Sequence, residues 1–219
     1  MINLIHGDCL VEMAKIADKS IDLVLTDIPY AIVNRESNGL RTLNKGAADI
    51  ETFKLDALLP QLLRVCKGSF YIFCSSEQLS EIRKFFVENG LSTRVLVWEK
   101  TNPSPMNGQH IWLSGIELCV YAKFPRATFN GHCKNSVLKY PVGHSKVHPT
   151  EKNINLFNEL VTTSSNAGDW VLDCCLGSGT TAVSCVIHNR NCIGIELDDK
   201  YFEIAQERVK QAQQQQILF

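Results

Sequence analysis

The chain has 219 residues, 45% of them hydrophobic, and a formal net charge of −1. That length and apolar content suffice for one sizeable core and make a single domain over residues 1–219 the default, while the near-neutral charge argues neither for nor against a polyanionic partner. No run of ~18 or more apolar residues occurs, and the opening "MINLIHGD" lacks a basic stretch leading into an apolar one, so a soluble cytoplasmic protein without a membrane partner is expected.

The nine cysteines stand at 9, 66, 74, 119, 133, 174, 175, 185 and 192, without C-x-x-C pairing. Several lie inside apolar runs, where a thiol acts as a small hydrophobe. A reducing compartment and no metal site are expected.

In chain order, a first strand is predicted over 2–5 ("INLI") and a helix over 9–17, with Asp8 between them as a candidate cap. A second strand, 21–26 ("IDLVLT"), runs into Asp27, Ile28, Pro29 and Tyr30. Alone, such a tetrapeptide reads as a turn that ends a strand with a capping acid. Residues 31–54 are rich in Asn, Gly and basic residues and are read as a long functional loop. A helix over 55–66, a strand over 69–74, a helix over 76–89 and a strand over 93–98 follow.

The stretch 99–150 is interrupted only by a strand over 116–122, and is otherwise loop-like. Between Arg94 and Lys152 there are eight Lys or Arg residues against three Glu, a surplus of five, together with four histidines. A basic, loop-rich segment inside a neutral protein suits a phosphate backbone; on charge alone a solvated surface is the simpler reading. A helix over 151–164 opened by Thr150 places Lys152 in its first turn, where a cation opposes the helix dipole and calls for an anion nearby.

Strand 170–173 ("WVLD") then ends in Asp173 and leads through "CCLGSGTT" into a helix over 179–189. Glycines allow a sharp turn and close backbone approach, and a helix start offers free N–H groups. The following strand, 191–196, ends in Glu196, seventeen residues after Gly179, where a carboxylate can accept both hydroxyls of a ribose. Together these features predict a nucleoside-containing cofactor; a tight turn with a surface acid is the competing reading. A last helix, 198–213, continues into "QAQQQQ" as its frayed end. Seven strands alternating with helices predict an α/β fold with a mainly parallel sheet covered on both faces.

"DCCLGSGTT" and "GIELD" resemble the cofactor motif of S-adenosylmethionine-dependent DNA amino-methyltransferases, and "TDIPY" resembles their catalytic Asp-Pro-Pro-Tyr motif. "HGDC" at 6–9 and "HPTEKN" at 148–153 resemble the elements preceding those motifs, so nearly the whole chain takes part. The order, catalytic motif first, is that of the permuted β group. Segments such as "VNRESNGLR" resemble phage or prophage-type DNA adenine methylases.

The resemblance implies a Rossmann-like methyltransferase fold, S-adenosyl-L-methionine as cofactor, double-stranded DNA as partner, and transfer to the N6 amine of a flipped-out adenine. It implies that Asp27 and the carbonyl of Ile28 accept the target amine, that Pro29 fixes the turn, and that Tyr30 stacks on the base. Asp8, Cys9, Lys152, Asp173, Gly177, Ser178, Gly179, Thr180, Thr181 and Glu196 would hold the cofactor, with Lys152 near its methionine carboxylate. The loops 31–54 and 99–150 would contact DNA, and a homodimer is left open. The chain departs from the family pattern at Ile28 and Asn153, where Pro is usual, and at Cys174 and Cys175, where Pro-Phe is usual. Cytosine-N4 methylation and a non-catalytic DNA-binding relative remain the alternatives.

Overall fold

The structure is a computed structural model that describes residues 1–30, 54–105, 108–143 and 152–217. The strands are β1 (Ile2–His6), β2 (Ile21–Asp27), β3 (Cys66–Cys74), β4 (Ser92–Lys100), β5 (Ile116–Lys123), β6 (Val137–Tyr140), β7 (Trp170–Asp173) and β8 (Asn191–Glu196). The helices are α1 (Cys9–Met13), α2 (Leu55–Val65), α3 (Ser76–Glu88), α4 (Ile154–Ser164), α5 (Thr180–Ile187) and α6 (Asp199–Ile217). All eight strands form one sheet in the order β1-β8-β7-β2-β3-β5-β4-β6. Only β5 runs antiparallel to its neighbours, β3 and β4.

The expected mainly parallel sheet is therefore present, with eight strands rather than seven among the described residues. The additional strand is β6, within the stretch read as loop. It has four residues and lies at the sheet edge beside β4, with only Leu138 buried. So short an element leaves almost no periodicity to detect.

Alternation along β2 builds the two halves of the core. Val24 faces one layer, with Met13 of α1, Leu58 and Leu62 of α2, and Ile82 and Phe86 of α3. Leu23 and Leu25 face the other, with Leu156 and Phe157 of α4, Ala182 and Cys185 of α5, and Ala205 and Val209 of α6. Each fully buried Leu, Val or Phe contributes about 1.5–3 kcal/mol, so both helical layers are fastened to the sheet by apolar burial. Among the cysteines, Cys66, Cys119, Cys185 and Cys192 are buried in this core, as their apolar surroundings predict.

The topology fixes the place of the chemistry. β1, β8, β7, β2 and β3 are consecutive parallel neighbours, so their C-terminal ends share one edge of the sheet. Asp27, Asp173 and Glu196 end three of these strands, and Asp8 follows the fourth. The catalytic-type and cofactor-type motifs, about 150 residues apart in sequence, become neighbours because β2 pairs with β7, as ligand sites in open α/β sheets do.

Candidate active site

At the end of β2 the tetrapeptide is pinned from three directions. The Ile28 N–H donates to the Phe73 carbonyl at 3.2 Å and prolongs the β2–β3 ladder. Its side chain is buried in the core. The Pro29 carbonyl accepts from Gln78 Nε2 at 3.0 Å, and Gln78 belongs to the capping box that starts α3 with Ser75. A proline at position 28 could not donate to Phe73. The departure at Ile28 therefore adds a hydrogen bond and an apolar contact while keeping a backbone carbonyl.

Asp27 is the centre of a charged cluster assembled from four elements. Its Oδ2 lies 2.9 Å from Lys152 Nζ. Lys152 Nζ lies 2.5 Å from Glu117 Oε2, and Lys100 Nζ 2.9 Å from Glu117 Oε1. The Tyr30 hydroxyl donates to Glu117 Oε2 at 3.4 Å, and the Lys152 ammonium stands 5.8 Å from the Tyr30 ring centre and 5.6 Å from that of Phe73. Asp27 Oδ1, in contrast, is buried without a hydrogen-bond partner among the described residues.

The electrostatics follow from that arrangement. Burial raises the Asp27 pKa, Lys152 opposes the rise, and Glu117 adds to it. Burial also opposes ionisation of Glu117, but Lys152 and Lys100 outweigh it and hold the carboxyl below its usual range. Burial disfavours the Lys152 cation, yet Asp27 and Glu117 reverse that effect and keep it charged. Burial, then Asp27, pushes the Tyr30 phenol up, so it stays a neutral donor.

The position of Lys152 corrects one expectation. The helix was expected to open at Thr150; α4 instead starts at Ile154 with Asn153 as its cap, and Lys152 precedes it. Asn153 Oδ1 accepts the N–H groups of Asn155 and Leu156 at 2.9 and 3.1 Å, while its Nδ2 donates to the Pro141 carbonyl. Asn is among the best residues for this role, which is why the departure from Pro is harmless. The anions beside Lys152 are Asp27 and Glu117.

The cofactor-type motif folds as a strand, a glycine turn and a helix. Gly177 and Gly179 have φ of +53° and +87°, and open space surrounds the missing Cβ of Gly177. At Gly179 a Cβ would meet that of Ala205 at 2.9 Å, so α6 requires glycine there. Asp173 accepts from Thr181 Oγ1 at 2.5 Å and from the Cys175 N–H at 3.1 Å. Burial lifts its carboxyl to about 7 against those hydrogen bonds. Arg208 donates to Ser178 through its carbonyl and hydroxyl, at 2.7 and 2.8 Å, and to Thr180 Oγ1 at 3.4 Å.

Glu196 Oε2 accepts the Gly177 N–H at 2.6 Å, and Oε1 accepts from Leu197 and Asp198. A carboxylate offers about four acceptor sites, so one remains after these three bonds. Asp8 caps α1 through Oδ1, bonded to the N–H groups of Leu10 and Val11, which is the structural role weighed for it. Cys174 Sγ lies 3.4 Å from Thr26 Oγ1 and 4.0 Å from Cys175 Sγ. The cysteine pair that departs from Pro-Phe thus packs thiols between the two motifs.

Sequence reasoning missed Glu117, Lys100, Gln78 and Arg208. Glu117 had a usable signal, an acid at the head of the apolar strand "IELCVYA"; its partners are too distant in sequence to be inferred. Much of the basic surplus meets acids within the protein. Lys134 pairs with Glu159 and Lys139 with Glu99, besides Lys100 and Lys152 with Glu117. The β4–β5 connection instead exposes apolar side chains at the catalytic edge. Trp112 is 95% and Ile111 68% exposed, with Leu113 beside them. The loop 31–54 lies outside the described residues, Lys54 apart.

Comparison with known proteins bears on this geometry. The profile of a family described as DNA methylase matches residues 108–207. The chain is 27% identical over 237 residues to Type II methyltransferase M2.MboI of Moraxella bovis, covering 94% of this chain and 86% of that protein. It is 28% identical over 254 residues to DNA adenine methyltransferase YhdJ of Escherichia coli K12, covering 94% and 82%. Among solved structures, the M1.HpyAVI-SAM complex superposes with a TM-score of 0.74 at 27% identity, covering 95% of this chain and all of the other.

Proposed function

We propose that the chain is an S-adenosylmethionine-dependent DNA methylase that methylates the exocyclic N6 of an adenine swung out of duplex DNA, a reading supported by its similarity to DNA methylases. The observation that carries this reading is Asp27 Oδ1, a buried acceptor without a partner beside an Oδ2 held by Lys152. An unsatisfied buried acceptor costs about 1–3 kcal/mol, and such a cost is reasonable where a substrate donor completes the site.

The residues around the glycine turn suit the cofactor. Gly177 allows close approach of backbone, Glu196 has an acceptor site left for a ribose hydroxyl, and Asp8 and Asp173 stand at neighbouring strand ends. When bound, S-adenosyl-L-methionine supplies an electrophilic methyl group on a sulfonium. Cys9, Ser178, Thr180 and Thr181 would stand beside it, with Gly179 setting the turn.

An adenine amine is a weak nucleophile because its lone pair is delocalised into the ring. Asp27 Oδ1 and the Ile28 carbonyl would each accept one of its N–H bonds, favouring the charge that develops on nitrogen as the methyl arrives. Holding the amine in place is itself a large effect, ~7–11 kcal/mol for well-oriented reactants. Tyr30 would stack on the base, an interaction worth about 1–3 kcal/mol. Its phenol is anchored by Glu117.

Swinging a base out of the duplex costs a few kcal/mol. The exposed Ile111, Trp112 and Leu113 would meet the opened duplex, within a stretch, 101–115, that has no acidic residue. Such an enzyme works on DNA in the cytoplasm of a bacterial cell. The reading of a non-catalytic relative is disfavoured because Ile28 leaves the turn pinned and its carbonyl in place.

Nucleoside analysis tests the substrate. DNA methylated by the purified protein, digested and analysed by mass spectrometry, is expected to contain N6-methyldeoxyadenosine. Finding only N4-methyldeoxycytidine would overturn the adenine assignment.

A further inference from the structure

The cation that holds the catalytic carboxylate is itself held more closely by a second carboxylate. Lys152 Nζ is 2.5 Å from Glu117 and 2.9 Å from Asp27, and Lys100 contacts the other oxygen of Glu117. The Lys152 and Glu117 side chains are 11% and 17% exposed, so solvent screens that pair poorly, while the Asp27 side chain is 31% exposed. Four separate elements converge to build it: the ends of β2 and β4, the start of β5, and the residue before the α4 cap.

We propose that Glu117 is a positioning residue that shares the charge of Lys152 with Asp27, so that Asp27 keeps Oδ1 oriented and strongly accepting toward the target amine. The proposal rests on the reading of Asp27 as the acceptor. A buried ammonium with Asp27 as its sole anion would draw that carboxylate into a tight pair, with both oxygens turned to the cation. It would then weaken as an acceptor. Glu117 takes up one of the three ammonium donors and part of the field, and Lys100 keeps Glu117 ionised. The groups facing Asp27 are Lys152, Glu117, the Tyr30 hydroxyl, Cys74 of β3, Cys119 of β5 and Asp173 of β7.

The test compares wild type, Glu117→Gln and Glu117→Asp in methyl transfer to DNA across pH, with calorimetric titration of S-adenosylmethionine beside it. Glu117→Gln is expected to lower kcat roughly tenfold or more while leaving cofactor affinity unchanged. Removing a negative neighbour also lowers the Asp27 pKa, so the acid limb of the kcat profile should move to lower pH. Glu117→Asp, which keeps the charge, should return that limb to its wild-type position. An unchanged kcat, an acid limb that stays in place in Glu117→Gln, or a rate loss matched by lost cofactor binding would overturn the proposal. A wild-type protein that methylates no DNA would strike the reading of Asp27 beneath it, a separate outcome from any behaviour of the Glu117 variants.

Discussion

Lys152 lies 2.9 Å from Asp27 through one carboxylate oxygen and leaves the other, Oδ1, buried without a partner among the described residues. The two oxygens of one side chain thus stand in different surroundings: one is tethered to a residue just before α4, and the other has no partner among the described residues. On the proposed reading, the target amine is the donor that completes it.

The cofactor end of the site gives the first prediction. Glu196 braces the glycine turn through Gly177 and has acceptor capacity left for a ribose hydroxyl. Hydrogen bonds to charged groups are worth ~1.5–3 kcal/mol. Glu196→Ala should therefore weaken S-adenosylmethionine binding roughly tenfold or more in a calorimetric titration. An unchanged dissociation constant would leave Glu196 with only its bracing role.

A second prediction concerns pH. Burial raises Asp173 to about 7 from an ordinary 3.8, so the folded protein holds this proton more tightly than the unfolded chain. Its contribution to stability is complete below the unfolded value and is lost as pH rises through about 7. Asp173→Asn removes the buried charge, and the Thr181 hydroxyl can turn to meet an amide. The variant should melt above wild type at pH 8 by several degrees, at ~2–4 °C per kcal/mol for a chain of this size. The gap should close as the pH falls, and a gap independent of pH would contradict the raised pKa.

Trp112 supplies the third. If its exposed ring meets the opened duplex, its loss should matter only when a base has to be extruded. Trp112→Ala is expected to reduce kcat/KM on fully paired DNA roughly tenfold, in line with ~1–3 kcal/mol per stacked base. It should have little effect on a duplex whose target adenine is mispaired. Equal loss on both substrates would point to damage elsewhere.

Much of this was legible in the sequence because it is local. The strands and helices alternate with clear periodicity, and Asp27 to Tyr30 and Gly177 to Thr181 are each a local turn built from residues adjacent in the chain. What could not be read depends on the sheet order. Glu117, Lys100, Lys152 and Asp27 meet only because β5, β4 and β2 deliver their ends to one place. Lys152 was expected in the first turn of a helix opened by Thr150, and the correction came from Asn153, whose capping side chain starts α4 later. β6 escaped notice since an edge strand of four residues is defined by its partner, β4, rather than by its own pattern. The permuted order of the motifs was plain in the sequence; that they adjoin in space followed from the pairing of β2 with β7.

Asp27 as the acceptor for the target amine can be tested most directly by one paired measurement. Asp27→Ala should be compared with wild type in transfer of a radiolabelled methyl group from S-adenosylmethionine to DNA, and in cofactor binding by calorimetry. Loss of methyl transfer, with cofactor affinity essentially retained, is the result predicted, because on the proposed reading Asp27 contacts the amine while the glycine turn with Glu196 holds the cofactor. Methyl transfer at the wild-type rate in Asp27→Ala would contradict the central claim.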